Sequence, residues 1–161
     1  MSLTVSDIVM AVSEGKGTAA AQQLLAMTGA RAAGLWKRSG DALHQLGIAA
    51  VPELHAGTQA EFAALTRLVP LSTDGLGIVQ AARKRELVMA RRSQGPLSLF
   101  ASASWLNRFD AACSISSPCL SPVTGEVVGV VAIAHVDLID SDHPAWQQVV
   151  EVSRALGEEL A

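Results

Sequence analysis

The stretch Ala111–Ala134, AACSISSPCLSPVTGEVVGVVAIA, decides how this chain is read. It holds two apolar, strand-like runs joined by a turn centred on Thr124-Gly125. Val127 to Ile133 is nearly all β-branched, broken only by Gly129 and Ala132. That composition predicts a strand buried on both faces, and so one in the middle of a sheet. Gly129 at its centre leaves room for something to approach the backbone. In the first strand, alternation puts Cys113, Ile115 and Ser117 on one face and Ala112, Ser114 and Ser116 on the other. Alternation alone does not say which face would border a pocket.

Outward from this hairpin, Val5, Ile8, Val9 and Val12 follow helical spacing after Thr4 or Ser6 as cap. Gly15-Lys16-Gly17 interrupts it, and a second helix is predicted over 18–28, ending at Gly29. Ala30 to Arg38 reads as a strand, Ser39-Gly40-Asp41 as a tight turn, and Ala42 to Ala50 as the returning strand. A helix over 58–68 should turn Phe62, Leu65 and Leu68 or Val69 inward. After a break at 70–74, Gly75 to Arg85 reads as a short helix ending in three cations, where the helix dipole favours them. Glu86 to Arg91 reads as a short strand, and 93–104 as a glycine- and proline-marked loop suited to a mobile lid, with a turn of helix near Trp105. Ser141-Asp142 should cap a last helix over 143–160, with Trp146, Val149, Val150, Ser153 and Leu156 on one face. Strand hairpins at each end with helices between them predict an α+β domain with an antiparallel sheet.

A length of 161 residues suits one domain over 1–161 with a proper core. Half the residues are apolar, 17% are charged and the net charge is −3, which argues against a nucleic-acid surface. No apolar run approaches the roughly 18–20 residues of a membrane span, and the N-terminus lacks the pattern of a signal peptide, so a cytoplasmic protein is expected. The two cysteines, Cys113 and Cys119, fall in one strand. Six residues of strand separate them by about 20 Å, whereas a disulfide needs Cα atoms within about 7 Å. Buried, reduced thiols are the expectation.

The segments Gly75-Leu76-Gly77-Ile78-Val79-Gln80-Ala81-Ala82 and Arg85-Glu86-Leu87-Val88-Met89, with the run 110–118 and Thr124-Gly125-Glu126-Val127-Val128-Gly129-Val130-Val131, together resemble a GAF domain. Trp105 ahead of the Cys-Ser strand resembles the modules at the front of bacterial transcription activators. The likeness spans roughly 18–160. It implies a GAF-like (PAS-like) antiparallel sheet with the terminal helices on one face and a ligand pocket on the other. It also implies a non-catalytic small-molecule sensor in a bacterial signalling or transcription-regulatory protein. The implied pocket lies between the hairpin and the segment 76–109, with Leu76, Val79, Met89, Leu97, Phe100, Trp105, Phe109, Cys113, Ile115 and Ile133 as candidate ligand contacts. Without tyrosine and with three phenylalanines, the chain offers little of an aromatic cage for a cyclic nucleotide or a tetrapyrrole. No cysteine stands where the light-sensing relatives attach a bilin, and the ligand stays unassigned.

Each of the ten candidates also has a plain reading as core. The cations Arg83, Lys84, Arg85, Arg91 and Arg92 read as a solvated face that could also meet an anion. His44, His55, His135 and His143 show no metal-ligand spacing, so no metal is expected. No Gly-x-Ser-x-Gly elbow, phosphate loop or His-Glu-x-x-His run occurs, and no base near Cys113 in sequence activates it. An enzyme is therefore not expected, and a free methionine sulfoxide reductase-like, thiol-dependent activity remains an alternative. The other alternative is an interaction module: the stripe Val5, Ile8, Val9, Val12 within 1–17 and the last helix would pair two subunits as a homodimer. No membrane or nucleic-acid partner is expected.

Overall fold

The computed structural model describes residues 3–92 and 99–161. Helix α1 (Val5–Ser13) starts at Thr4, whose hydroxyl accepts the Asp7 N–H at 3.3 Å while the Asp7 carboxylate accepts the Thr4 N–H at 2.8 Å. Helix α2 (Gly17–Thr28) ends on Gly29 in the left-handed region at φ 67°. The first hairpin is β1 (Ala32–Ser39) with β2 (Ala42–Ala50). Then come α3 (Ala56–Leu65), β3 (Leu68–Pro70), α4 (Gly77–Lys84) and β4 (Val88–Arg91). After α5 (Phe100–Phe109), the second hairpin is β5 (Cys113–Leu120) with β6 (Val127–His135), and α6 (Pro144–Leu160) closes the order.

The strands form one sheet in the order β3-β2-β1-β6-β5-β4, with every neighbouring pair antiparallel. The valine-rich β6 lies at the centre, as its two-sided apolarity requires. Pro118, which brings no N–H, lies past the last β4 pairing, Val88 with Ser116. Helices α1, α2 and α6 pack on one face, over Ala33, Leu35, Cys113, Ile115, Cys119, Val131 and Ile133. The other face carries Trp36, Val130 and Ala132 under α4, and Ala134 under α5.

Close approach of backbone to backbone sets the helices down on the first face. A Cβ on Gly129 would stand 2.6 Å from the Trp36 carbonyl oxygen and 2.8 Å from Leu160 Cδ1. The room left by Gly129 is therefore taken by the neighbouring strand and the end of α6, not by a ligand. Gly157 of α6 rests against the Leu120 backbone in the same way.

Several expectations need correction. The helix expected to run to Leu68 ends at Leu65, and Leu68–Pro70 becomes an edge strand. Val69 is buried as expected, but in that strand, while Leu65 and Leu68 stay 60% and 54% exposed. In place of one turn near Trp105, α5 is ten residues long and starts at Phe100 within the expected loop. Residues 93–98 of that loop lie outside the described residues, as does Leu97. The last helix is capped by His143, whose Nδ1 accepts the Ala145 N–H at 3.0 Å, not by Ser141-Asp142.

Candidate functional site

On the face away from α1, α2 and α6 the sheet is built from small side chains. Ala32 and Gly34 of β1, Ser114 and Ser116 of β5, and Ala132 and Ala134 of β6 stand side by side in register. Gly34 is small because the Trp36 indole lies across it, within contact distance of where a Cβ would be and with Cζ3 2.7 Å from it. Such a floor cannot meet the helices above it, and a cavity of about 70 Å³ remains.

The cavity has an apolar end and a polar end. Phe62 of α3 and Trp105 and Phe109 of α5 form the apolar end. Phe62 meets the Trp105 and Phe109 rings edge-on at 4.9 and 5.1 Å between centroids, and Trp105 stacks on Phe109 at 5.7 Å. Arg108 lies 4.4 Å over the outer Trp105 face and bonds Glu61 of α3 at 2.6 Å, so α3 and α5 are tied above the rings. That bond holds the Glu61 carboxyl below its usual range and raises the Arg108 guanidinium. Trp36 Nε1 donates to the Thr66 carbonyl at 2.8 Å, anchoring the end of α3 from below. The polar end is Ser116 of the floor, Ser102 of α5 and the start of α4, while Ser114 lies beside Ala134 under α5. Ser102 Oγ accepts the Gly77 N–H at 2.8 Å.

Of the residues expected at the pocket, Leu76, Trp105, Phe109 and Ile133 line this cavity. The Ile133 side chain nonetheless packs under the terminal helices, as do Cys113, Ile115 and Met89. Val79 is buried between α4 and the sheet beside the cavity. Phe100 is mostly exposed and leans on Gly75. Phe62, expected to turn inward but not toward the pocket, and the small residues of the floor were not among the candidates. Small residues stand at the alternate positions 32 and 34 in β1, 114 and 116 in β5, and 132 and 134 in β6.

Both thiols are free and buried on the face opposite the cavity. Burial pushes both up from the ordinary thiol value, Cys119 most strongly. Cys113 Sγ sits 3.4 Å from the Asp137 carbonyl oxygen. His135 stacks edge-on against His143 on the helix face at 5.3 Å, its Nδ1 accepting the Asp137 N–H. Among the described residues no group of three or more His, Cys, Asp or Glu side chains could hold a metal, and no helix is long and apolar enough to cross a membrane.

Solved structures share this architecture. A methyl-accepting chemotaxis protein fragment, residues 122 to 287, superposes with a TM-score of 0.67 at 14% identity, covering 97% of this chain and 94% of that one. The A. aeolicus NLH2 GAF domain in an inactive state gives 0.64 at 14% identity, covering 96% and 94%. Free methionine-R-sulfoxide reductase from Neisseria meningitidis, in complex with its substrate, gives 0.64 at 16% identity, covering 97% and 85%. At such identities these likenesses establish the fold alone. No protein of curated function matches the sequence. The GAF domain family itself matches residues 18–158, nearly the whole chain, and the protein therefore belongs to that family.

Proposed function

We propose that this GAF domain is a non-catalytic sensory module of a bacterial signalling or transcription-regulatory protein, and that it binds a small cytoplasmic molecule between the sheet and α5. The observation that carries this reading is the void over the small-residue floor. A sheet meant only to pack would fill those positions with larger side chains, as the opposite face does. Ligand contacts present in only one arrangement of α3 and α5 would shift the domain between states, and the terminal helices would report the shift. The placement of both thiols away from the cavity, with raised ionisation, weighs against the thiol-dependent alternative.

The test is a thermal-shift and native mass-spectrometry screen of the whole chain against cytoplasmic metabolites, beside Ala132→Leu. Leucine at 132 fills the void from its floor. A stabilising ligand that loses its effect in a folded Ala132→Leu supports the reading; a ligand indifferent to that substitution, or no ligand at all, refutes it.

A homodimer through the terminal helices is the second part of the proposal. It is favoured by apolar side chains that α1 leaves uncovered: Met10 is 59% exposed beside the half-buried Val5 and Val9, across a groove from Ala155 of α6. Sedimentation velocity should give a dimer that Met10→Lys weakens; a monomer at high concentration would end this part.

A further inference from the structure

The polar end of the cavity carries amide and hydroxyl donors. Helix α4 begins at Leu76, which provides no side-chain cap. Only the Gly77 N–H of its first turn is taken, by Ser102 Oγ. Among the described residues the N–H groups of Ile78 and Val79 meet no acceptor. Ser116 is 3% exposed, its Oγ has no partner among the described residues, and it would lie 3.1 Å from a Cβ on Gly77, so it is aimed at the helix start. Ser102, having accepted from Gly77, keeps its own proton to donate. Among the described residues no aspartate or glutamate lines the cavity, so an ammonium group would find no counter-charge from them there.

We infer that this end is a carboxylate subsite and that the domain takes a short-chain monocarboxylate, its two oxygens held by the start of α4 and the hydroxyls of Ser102 and Ser116, its hydrocarbon tail against Phe62, Trp105 and Phe109. The inference rests on the sensing proposal above and names the ligand class of the same cavity. The Ile78 amide and the Ser102 and Ser116 hydroxyls are donors suited to the lone pairs of a carboxylate, and the positive end of the helix favours its charge. The apolar rings exclude a second charge at the far end. A cavity of about 70 Å³ exceeds the room that a single water needs and suits a small organic molecule, of which butyrate is a simple monocarboxylate.

The probe is sodium butyrate, titrated into the whole chain by calorimetry at constant ionic strength, with butyramide and butylammonium as matched neutral and cationic molecules. Butyrate should bind, butyramide about tenfold more weakly or worse, and butylammonium not at all. Ser116→Ala should weaken butyrate about tenfold and leave the weak butyramide binding little changed, and Ser102→Ala supplies the same test should Ser116→Ala fail to fold. Butyramide binding as tightly as butyrate, or butyrate indifferent to both serine substitutions, overturns the carboxylate assignment. A non-carboxylate metabolite that binds and is blocked by Ala132→Leu, with butyrate inert, overturns it too while leaving the sensing proposal standing. Absence of any ligand ends both.

Discussion

Gly157→Ala sets two well-understood effects against each other. In a helix interior, alanine is favoured over glycine by about 1 kcal/mol, so propensity alone predicts a more stable protein. The structure predicts the opposite. A Cβ on Gly157 would lie inside contact distance of the Leu120 carbonyl oxygen, 3.0 Å from its carbon and 3.1 Å from its nitrogen. Restoring an ordinary carbon–oxygen separation requires α6 to rise from β5 by about 1 Å. The obstacle is backbone, which no rotamer relieves, so the cost belongs near the top of the 1–3 kcal/mol range for overpacking, about 3 kcal/mol. Subtracting the propensity gain leaves about 2 kcal/mol of net destabilisation. For a chain of 161 residues that lowers Tm by roughly 4–8 °C, readable by calorimetry. Gly125→Ala is the control: nothing lies within 4 Å of its Cβ, and its φ of 72° alone sets a cost of about 1 kcal/mol. A Gly157→Ala protein that melts at or above the wild-type temperature would refute the close docking of α6.

Native protein at pH 8 should leave Cys113 and Cys119 unlabelled by a thiol reagent for hours and take up two equivalents once denatured; prompt labelling of either would contradict their burial. Because burial raises both thiols, the unfolded chain ionises first as pH rises, so stability should fall above the ordinary thiol value of about 8.5, and Cys119→Ser should reduce that fall. Trp36→Phe leaves the buried Thr66 carbonyl without its donor and should cost about 1–3 kcal/mol, seen as a lower urea midpoint at unchanged slope; an unmoved midpoint would deny the anchor. The Glu61 carboxyl, followed by carbon NMR, should titrate below the ordinary carboxylate value and return to it in Arg108→Ala. Its stabilising contribution is complete above the unfolded-state value and lost as pH falls through the lowered one; an unchanged midpoint in the variant would remove the tie between α3 and α5.

The second hairpin was legible because β-branched residues crowd it, whereas the first cap was narrowed only to Thr4 or Ser6, and the structure selects Thr4. The edge strand Leu68–Pro70 was not, since three residues carry no period and the exposed Leu65 and Leu68 mimic a helix face. The face of the pocket was hidden for a different reason. Both sides of β5 are buried, so polarity does not distinguish them, and large apolar side chains such as Ile115 drew attention to the side that is filled. A void is announced by what is small, and Ser114, Ser116, Ala132 and Ala134 were the residues to follow. Phe62 was expected to turn inward, but its meeting with Trp105 and Phe109 joins two helices far apart in the chain, a pairing that no local period reveals.

Ser116 and its successor Ser117 are consecutive links of one strand that look in opposite directions. The first faces the void; the second shares a 2.8 Å hydrogen bond with Ser153 of α6. The void and helix α6 are thus separated by a single peptide unit, about 3.8 Å from Cα to Cα. A displacement of β5 at Ser116 would be carried through that one covalent link to the bond between Ser117 and Ser153.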